Sequence, residues 1–357
     1  METTKMPGET GPGRRRFLGT AGAAALAVGA AQFGVIGAAN AQTIKAGSAG
    51  LPAAKLGTGT SFGTLKQINA GVLNIGYVEA GPANGRPVIL LHGFPYDIHS
   101  FVEVTPLLAA KGYRVIVPYM RGHGTTTFLS SRTRRDAQQS VMALDVIALM
   151  DALKIEKAIL AGYDLGSRSA DIVAALWPQR VKSLISVTGY LVTDPPTNLL
   201  PAPPALEWAF WYQYYFSTER GVRGLTEYRH DLGELIWKFN SPTWHFSAAT
   251  YNQTAAAFDN PDYVSIIIDN YRWRLDLVPG DPRYDALEKQ IAKGPTIAVP
   301  TITIDGEYDP FTPPGNGAKY RDKFTGKYEH MTFPVGHNVP QEAPKDFAEA
   351  VVRVDHL

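Results

Sequence analysis

The most constraining stretch of the 357-residue chain is Ala158-Ile-Leu-Ala-Gly162-Tyr-Asp164-Leu-Gly166-Ser167. A short apolar run, reading as a buried strand, ends in Gly-x-Asp-x-Gly and passes into a helix starting near Ser167. This is the pattern of a nucleophile elbow, a sharp strand-to-helix turn that lifts one side chain above a parallel sheet. Gly162 and Gly166 let strand and helix approach closely. The central position carries Asp164, where Ser is usual. A carboxylate there is ionised at neutral pH and can attack an electrophilic carbon without first losing a proton.

The remaining chain alternates strand-like and helix-like runs, the mark of an α/β protein. Strands are expected at Val72–Val78, Pro87–Leu91, Tyr113–Pro118, Val181–Val187, Ile297–Ile304 and Glu329–Phe333. Helices are expected at Phe101–Lys111, Val141–Leu153 and Phe347–Val354, the first stopped by Gly112. The alternation breaks between Tyr190 and Lys293, where a proline-rich entry (Pro195 to Pro204) leads into a Trp- and Tyr-rich helical region. That region reads as a cap over the carboxyl ends of the sheet, where α/β folds bind ligands. The expected organisation is residues 65–189 as the first part of the core, 190–293 as a helical cap and 294–357 as the second part of the core.

Two segments precede the core. Arg14-Arg-Arg-Phe-Leu18, an Ala/Gly-rich apolar run and Ala39-Asn-Ala41 make a signal peptide over residues 1–41, cleaved after Ala41. Its Arg-Arg-x-Phe-Leu core resembles the twin-arginine (Tat) signal, which implies the Tat export machinery as a partner and a periplasmic or secreted location. Residues 42–64 read as a flexible linker. A net charge of +1 makes no case for nucleic acid or an anionic membrane. With no cysteine and eight histidines in no ligand-like spacing, no metal is expected.

Three more segments fall where hydrolytic chemistry needs them. The strand ending at Leu91 runs into His92-Gly93-Phe94-Pro95, so the Phe94 amide could pair with that of Leu165 as an oxyanion hole. His92 itself reads as a hydrogen-bonding residue of the loop rather than a base. The strand ending at Ile304 leads into Asp305-Gly-Glu307-Tyr-Asp309; Asp309 is best placed to orient a histidine, with Asp305, Glu307 and Asp194 as alternatives. His337, after the last strand, completes the order nucleophile, acid, histidine. Ser167 lies outside the central elbow position and should point into the helix.

From about Thr64 to Leu357 the sequence resembles the α/β-hydrolase superfamily, in its epoxide hydrolase and haloalkane dehalogenase branch with an Asp nucleophile. The resemblance rests on His92-Gly-Phe-Pro95, Gly162-Tyr-Asp-Leu-Gly166 and Gly336-His-Asn-Val-Pro-Gln-Glu-Ala-Pro344. It implies an α/β-hydrolase fold, a mostly parallel sheet flanked by helices with an inserted helical cap. In epoxide hydrolases one acidic Tyr lies in a Tyr-Gln-x-Tyr-Phe segment and a second near the cap's end. Here these positions fall on Tyr212 and Tyr271.

The resemblance thus implies that Asp164 opens an epoxide with help from Tyr212 and Tyr271. His337, oriented by Asp309, would then activate water against the resulting ester, with no cofactor. A dehalogenase sharing Asp164 and His337 is the alternative, and Arg168 and Tyr271 would fit it. Leu165, however, stands where many dehalogenases use Trp to hold halide, a position at which epoxide hydrolases commonly carry Trp as well. A non-catalytic, ligand-binding member of the fold is a further one. Phe94, Trp208, Trp211, Tyr214, Phe246 and Trp273 are candidate pocket walls, Phe94, Trp211 and Tyr214 foremost, suiting a small apolar or aryl substrate. Oligomeric state has no signal in the sequence.

Overall fold

The computed structural model describes residues 62–312 and 315–357. The expected signal peptide and all but the end of the expected linker lie outside the described residues.

In chain order come β1 (Lys66–Ala70), β2 (Leu73–Ala80), β3 (Arg86–Leu91), helix α1 (Val104–Ala110), β4 (Tyr113–Pro118), the short β5 (Thr127–Phe128), α2 (Gln139–Ala152), β6 (Ala158–Gly162), α3 (Leu165–Leu176) and β7 (Val181–Val187). Between β7 and the next strand come α4 (Pro204–Ala209), α5 (Trp211–Ser217), α6 (Glu219–Asn240), α7 (Ala248–Ala255), α8 (Tyr263–Arg274) and α9 (Asp285–Ile291). The chain closes with β8 (Thr301–Gly306), β9 (Tyr328–Phe333), α10 (Val339–Glu342) and α11 (Pro344–Asp355).

The strands form a sheet in the order β1-β2-β4-β3-β6-β7-β8-β9, with β5 beside β2. β2 pairs antiparallel with β1 and β4, whereas β4 through β9 along that path are parallel. Both faces of the parallel part are covered, which is why its strands read as unbroken apolar runs. Val88 and Leu90 of β3 enter one core with Phe101 and Phe347, while Ile89 and Leu91 enter the other with Ile116 and Leu160. The chain leaves β3 toward β4 on one side and returns as β6 on the other. Such a reversal opens a crevice at the carboxyl ends of the two strands. The loops after β3 and β6 are His92–Pro95 and the elbow.

Two strand expectations need correction. The strand expected from Ile297 starts at Thr301; Ile297 makes only an isolated bridge to Phe324. Pro300, which has no N–H, stands between them and interrupts the ladder. β1 was not foreseen at all: Lys66–Ala70 is a mostly exposed edge strand with a polar sequence, and it lacks the apolar run that marks the buried ones. The elbow helix starts at Leu165, two positions before its expected start near Ser167.

Side chains of the helical segment reach the β3 loop directly. Trp237 of α6 donates its Nε1–H to the Pro95 carbonyl (2.6 Å), and Thr254 of α7 donates to Asp97 Oδ1 (2.8 Å).

Candidate active site

Asp164 sits at φ 51°, ψ −125°, a left-handed conformation that L-residues adopt at an energetic penalty. The conformation is held because its surroundings leave no room for another. A Cβ on Gly166 would lie 2.1 Å from the Leu91 carbonyl oxygen, and one on Gly93 would lie 2.3 Å from the Asp164 Cβ. Glycine at these positions lets the two loops close on one another.

The carboxylate is fixed at both oxygens. Oδ1 accepts the amides of Phe94 (3.0 Å) and Leu165 (2.6 Å). Oδ2 lies 3.4 Å from His337 Nε2. Burial works to raise the Asp164 pKa, but the His337 hydrogen bond and charge, the Phe94 amide and the Arg168 charge outweigh it. The carboxyl is held below its ordinary value of 3.8 and is ionised at neutral pH.

His337 is buried and its Nδ1 donates to Asp309 Oδ2 at 2.7 Å. The other Asp309 oxygen accepts the Phe311 amide (2.9 Å), which sets the carboxylate plane. Burial lowers the imidazole pKa. The Asp309 charge and hydrogen bonds to both carboxylates more than reverse this, and the value is pushed up to about 10. The structure therefore brings Asp164, His337 and Asp309 into one hydrogen-bonded line. The Phe311 ring stands edge-on to the imidazole at 5.0 Å.

The alternative acids lie elsewhere. Asp305 accepts from the Tyr320 hydroxyl (2.8 Å) and faces His330. Glu307 is exposed at the end of the strand, and Asp194 precedes the short helical turn Pro195–Leu199. His92 is saturated by backbone: Nδ1 donates to the Gly93 carbonyl and Nε2 accepts the Met120 amide, each at 3.0 Å. Burial lowers its pKa, so it stays neutral. Ser167 is buried with its hydroxyl 2.7 Å from that of Ser186.

Above the elbow, Tyr212 on α5 and Tyr271 on α8 are buried, with rings edge-to-face at 5.5 Å. The Phe94 ring lies 6.0 Å from Tyr212 and 5.5 Å from Tyr271, so the two phenols gather over the loop whose amide holds Asp164. Burial is the main cause raising both phenol pKa values, and the Asp164 charge adds to it. Both hydroxyls therefore keep their protons well into the alkaline range and remain donors.

The aromatic walls divide. Trp211 is half-buried against the Tyr212 ring, and Trp273 is buried. Phe246 packs on Trp237, which stacks on Tyr96, so two rings stand between it and His337. Tyr214 and Trp208 do not line the site. Tyr214 is 41 % exposed with its hydroxyl on Glu207, and Trp208 is 69 % exposed. On a helix, Tyr214 lies two positions from Tyr212 and so faces away from it.

The sequence reading did not single out several residues that frame the site. Tyr96 packs beside the histidine with Trp237 stacked behind it, the Asn240 carbonyl accepts the His337 amide, and Glu342 braces the histidine's loop. Arg168, one helical turn after Asp164, is buried and donates its Nε–H to the Leu191 carbonyl (2.9 Å). Unlike the others, Arg168 stands out in the sequence as a residue fitting the dehalogenase alternative, and its i+4 spacing places it on the same side of α3 as Asp164.

With this geometry established, comparisons with known proteins place the chain. A family model for the alpha/beta hydrolase fold matches residues 86–344, and the chain belongs to that family. It is 31% identical over 160 residues to epoxide hydrolase B of Mycobacterium tuberculosis, a match covering 42% of this chain and 44% of that protein. Against epoxide hydrolase 3 of Siraitia grosvenorii it is 35% identical over 135 residues, covering 38% of this chain and 39% of that one. The matched stretches thus span less than half the length of these curated relatives. A crystal structure from Klebsiella pneumoniae, described as a candidate epoxide hydrolase, is 56% identical with a TM-score of 0.81. That match covers 82% of this chain and 97% of the Klebsiella protein.

Proposed function

We propose that this protein hydrolyses epoxides to diols through a covalent ester on Asp164. The observation that carries the reading is the pair of buried phenols, Tyr212 and Tyr271, gathered over a carboxylate that already has a base behind it. The named relatives support the substrate class.

In the first half, Asp164 Oδ2 bonds to an oxirane carbon as the ring C–O bond breaks, and a phenol hydroxyl supplies a proton to the departing oxygen. Oδ1, held by two amides, becomes the ester carbonyl oxygen. In the second half, His337 Nε2 takes a proton from water as the water oxygen attacks the Asp164 carboxyl carbon. The same two amides then hold the oxyanion, a role for which they are already placed. Collapse breaks the bond from the carboxyl carbon to Oδ2, so that oxygen leaves in the diol with the proton carried by His337. The proton remaining on the Asp164 carboxyl restores the phenol. No cofactor enters.

The electrostatics supply an order to these steps. At rest the imidazole is protonated, partly because Asp164 is charged. Esterification removes that charge, so the His337 pKa falls and its resting proton passes to solvent, to be recovered when the Asp164 charge returns. The neutral ring serves as a base after the nucleophile has been used. Asp309 keeps it oriented throughout.

The reading extends to the whole chain as an exported enzyme, its helical segment between β7 and β8 acting as the cap and a small apolar molecule as substrate. The test is a mass spectrum of His337→Gln mixed with styrene oxide and, separately, with a haloalkane. An adduct equal to the full mass of the epoxide supports the proposal. An adduct of the alkyl group with halide lost would make the protein a dehalogenase instead. No adduct with either, on folded protein, would leave an untested substrate or a binding protein and count against Asp164.

A further inference from the structure

Glu342, the last residue of the short helix α10, lies five positions after His337 and outside the mechanism above. Its carboxylate joins three pieces of chain. Oε2 accepts the Gly336 amide at 2.8 Å, and Oε1 accepts the Asn338 amide at 3.0 Å. The residues on both sides of His337 are therefore anchored to one side chain. Oε1 also accepts the Ser241 hydroxyl at 2.6 Å, from the residue that caps the C-terminus of α6.

The remaining backbone amide in this stretch, that of His337 itself, donates to the Asn240 carbonyl at 3.0 Å. Contact between the two segments is close enough that a Cβ on Gly336 would lie 2.5 Å from the Ser241 Cα. The loop carrying the histidine is thus mounted on the end of α6, not only on the strand before it. The same helix reaches the β3 loop through Trp237 and Pro95.

We propose that Glu342 is a positioning residue for His337, coupling the end of α6 to the placement of the base. The proposal rests on the two-step reading above, because only the second step uses the base. His337 Nε2 stands 3.4 Å from Asp164 Oδ2 at the edge of hydrogen-bond reach. A loop shift of a few tenths of an ångström would misplace the ring for attack on the ester, and misplacement by about 1 Å lowers such rates on the order of 100-fold. Alkylation of Asp164 does not require the ring to act as a base and should be spared.

Rapid-quench single turnovers with styrene oxide separate the two steps, with the ester quantified by mass. Glu342→Gln is nearly isosteric but turns one acceptor oxygen into an NH2 group facing a backbone N–H. It should slow ester hydrolysis by about 10- to 100-fold while alkylation stays within about twofold, so the ester accumulates. Ser241→Ala removes only the α6 side of the bracket and should slow hydrolysis by a smaller factor, again without touching alkylation. Melting temperatures of both variants, read alongside, show that folded protein is being compared.

Equal slowing of both steps in folded Glu342→Gln would reduce Glu342 to a general structural role and overturn the proposal, as would no change in either. A wild-type enzyme that forms no ester would overturn the two-step reading, and the positioning role with it. That outcome differs from an ester that forms and decays at one rate in wild type and variant.

Discussion

The two sides of the candidate site are held in place by different physics. Below, the groups on the sheet are fixed by directional hydrogen bonds at the ends of adjacent strands: two amides on Asp164 Oδ1, Asp309 on His337, and Phe311 on Asp309. Above, Tyr212 and Tyr271 are held mainly by ring contacts with each other, Phe94 and Phe216. Hydrogen bonds specify a position to a few tenths of an ångström, whereas packed rings tolerate repacking. The lower half is therefore suited to chemistry that is the same for every substrate, and the upper half to shape that can differ from one substrate to another.

The comparison breaks most visibly at its lowest point. Asp164→Ala should remove the ester route and lower turnover by about 10⁴-fold or more, a loss typical of nucleophile deletion. A residual rate near wild type, measured by diol formation, would mean that the elbow carboxylate is not the reacting group.

On the upper side, Tyr212→Phe and Tyr271→Phe each remove a hydroxyl and leave the ring packing intact. Each should lower kcat/KM for an epoxide by about 100-fold, the scale of losing one donor to developing charge. Neither should slow hydrolysis of ester already formed, and single-turnover quench separates the two. An equal effect on hydrolysis would place the phenols with the lower half.

The third effect is a pH dependence that differs between the steps. In the free enzyme His337 keeps its proton up to about 10, and Asp164 is ionised above its lowered pKa. The profile of kcat/KM, which reports the free enzyme, should be level across the neutral range. Ester hydrolysis needs the neutral ring after the Asp164 charge has gone, so its rate should rise with an apparent pKa below about 10. Stability follows the same signs. The raised His337 value contributes fully below its ordinary 6.5 and is lost as pH rises through about 10. The lowered Asp164 value contributes above its ordinary 3.8 and is lost as pH falls below it. Coincident profiles for the two steps would contradict this ordering.

The smallest effect sharpens the boundary of the upper half. Trp208→Ala and Tyr214→Phe change exposed side chains and should leave KM within about twofold, as surface substitutions usually do. A large rise in KM would return these residues to the pocket wall.

The same division explains what was legible in the sequence. The elbow, the His92–Pro95 loop and the His337 loop are short segments at strand ends, where local spacing dictates where a side chain goes. Asp309 could be preferred over Asp305 because it stands beyond the strand, where a turn can aim it back; Asp305 is still within β8. The helical segment between β7 and β8 gave no such leverage. Tyr212 and Tyr214 are both aromatic and two residues apart, and only helix rotation, with one buried and one exposed, tells them apart. Glu342 and Trp237 escaped notice for a related reason: one meets the Ser241 hydroxyl and the other the Pro95 carbonyl, both distant in the chain, and residue type alone does not reveal such a partner. β1 was missed because an edge strand needs no apolar run.

The central claim, a covalent ester on Asp164, is tested most directly by a single turnover of excess wild-type enzyme on styrene oxide in ¹⁸O-labelled water. Attack by Oδ2 and hydrolysis at the carboxyl carbon predict an unlabelled diol in that first turnover, with ¹⁸O recovered in the peptide containing Asp164. A labelled diol and an unlabelled peptide would mean that water attacks the epoxide directly and that Asp164 never bonds to carbon.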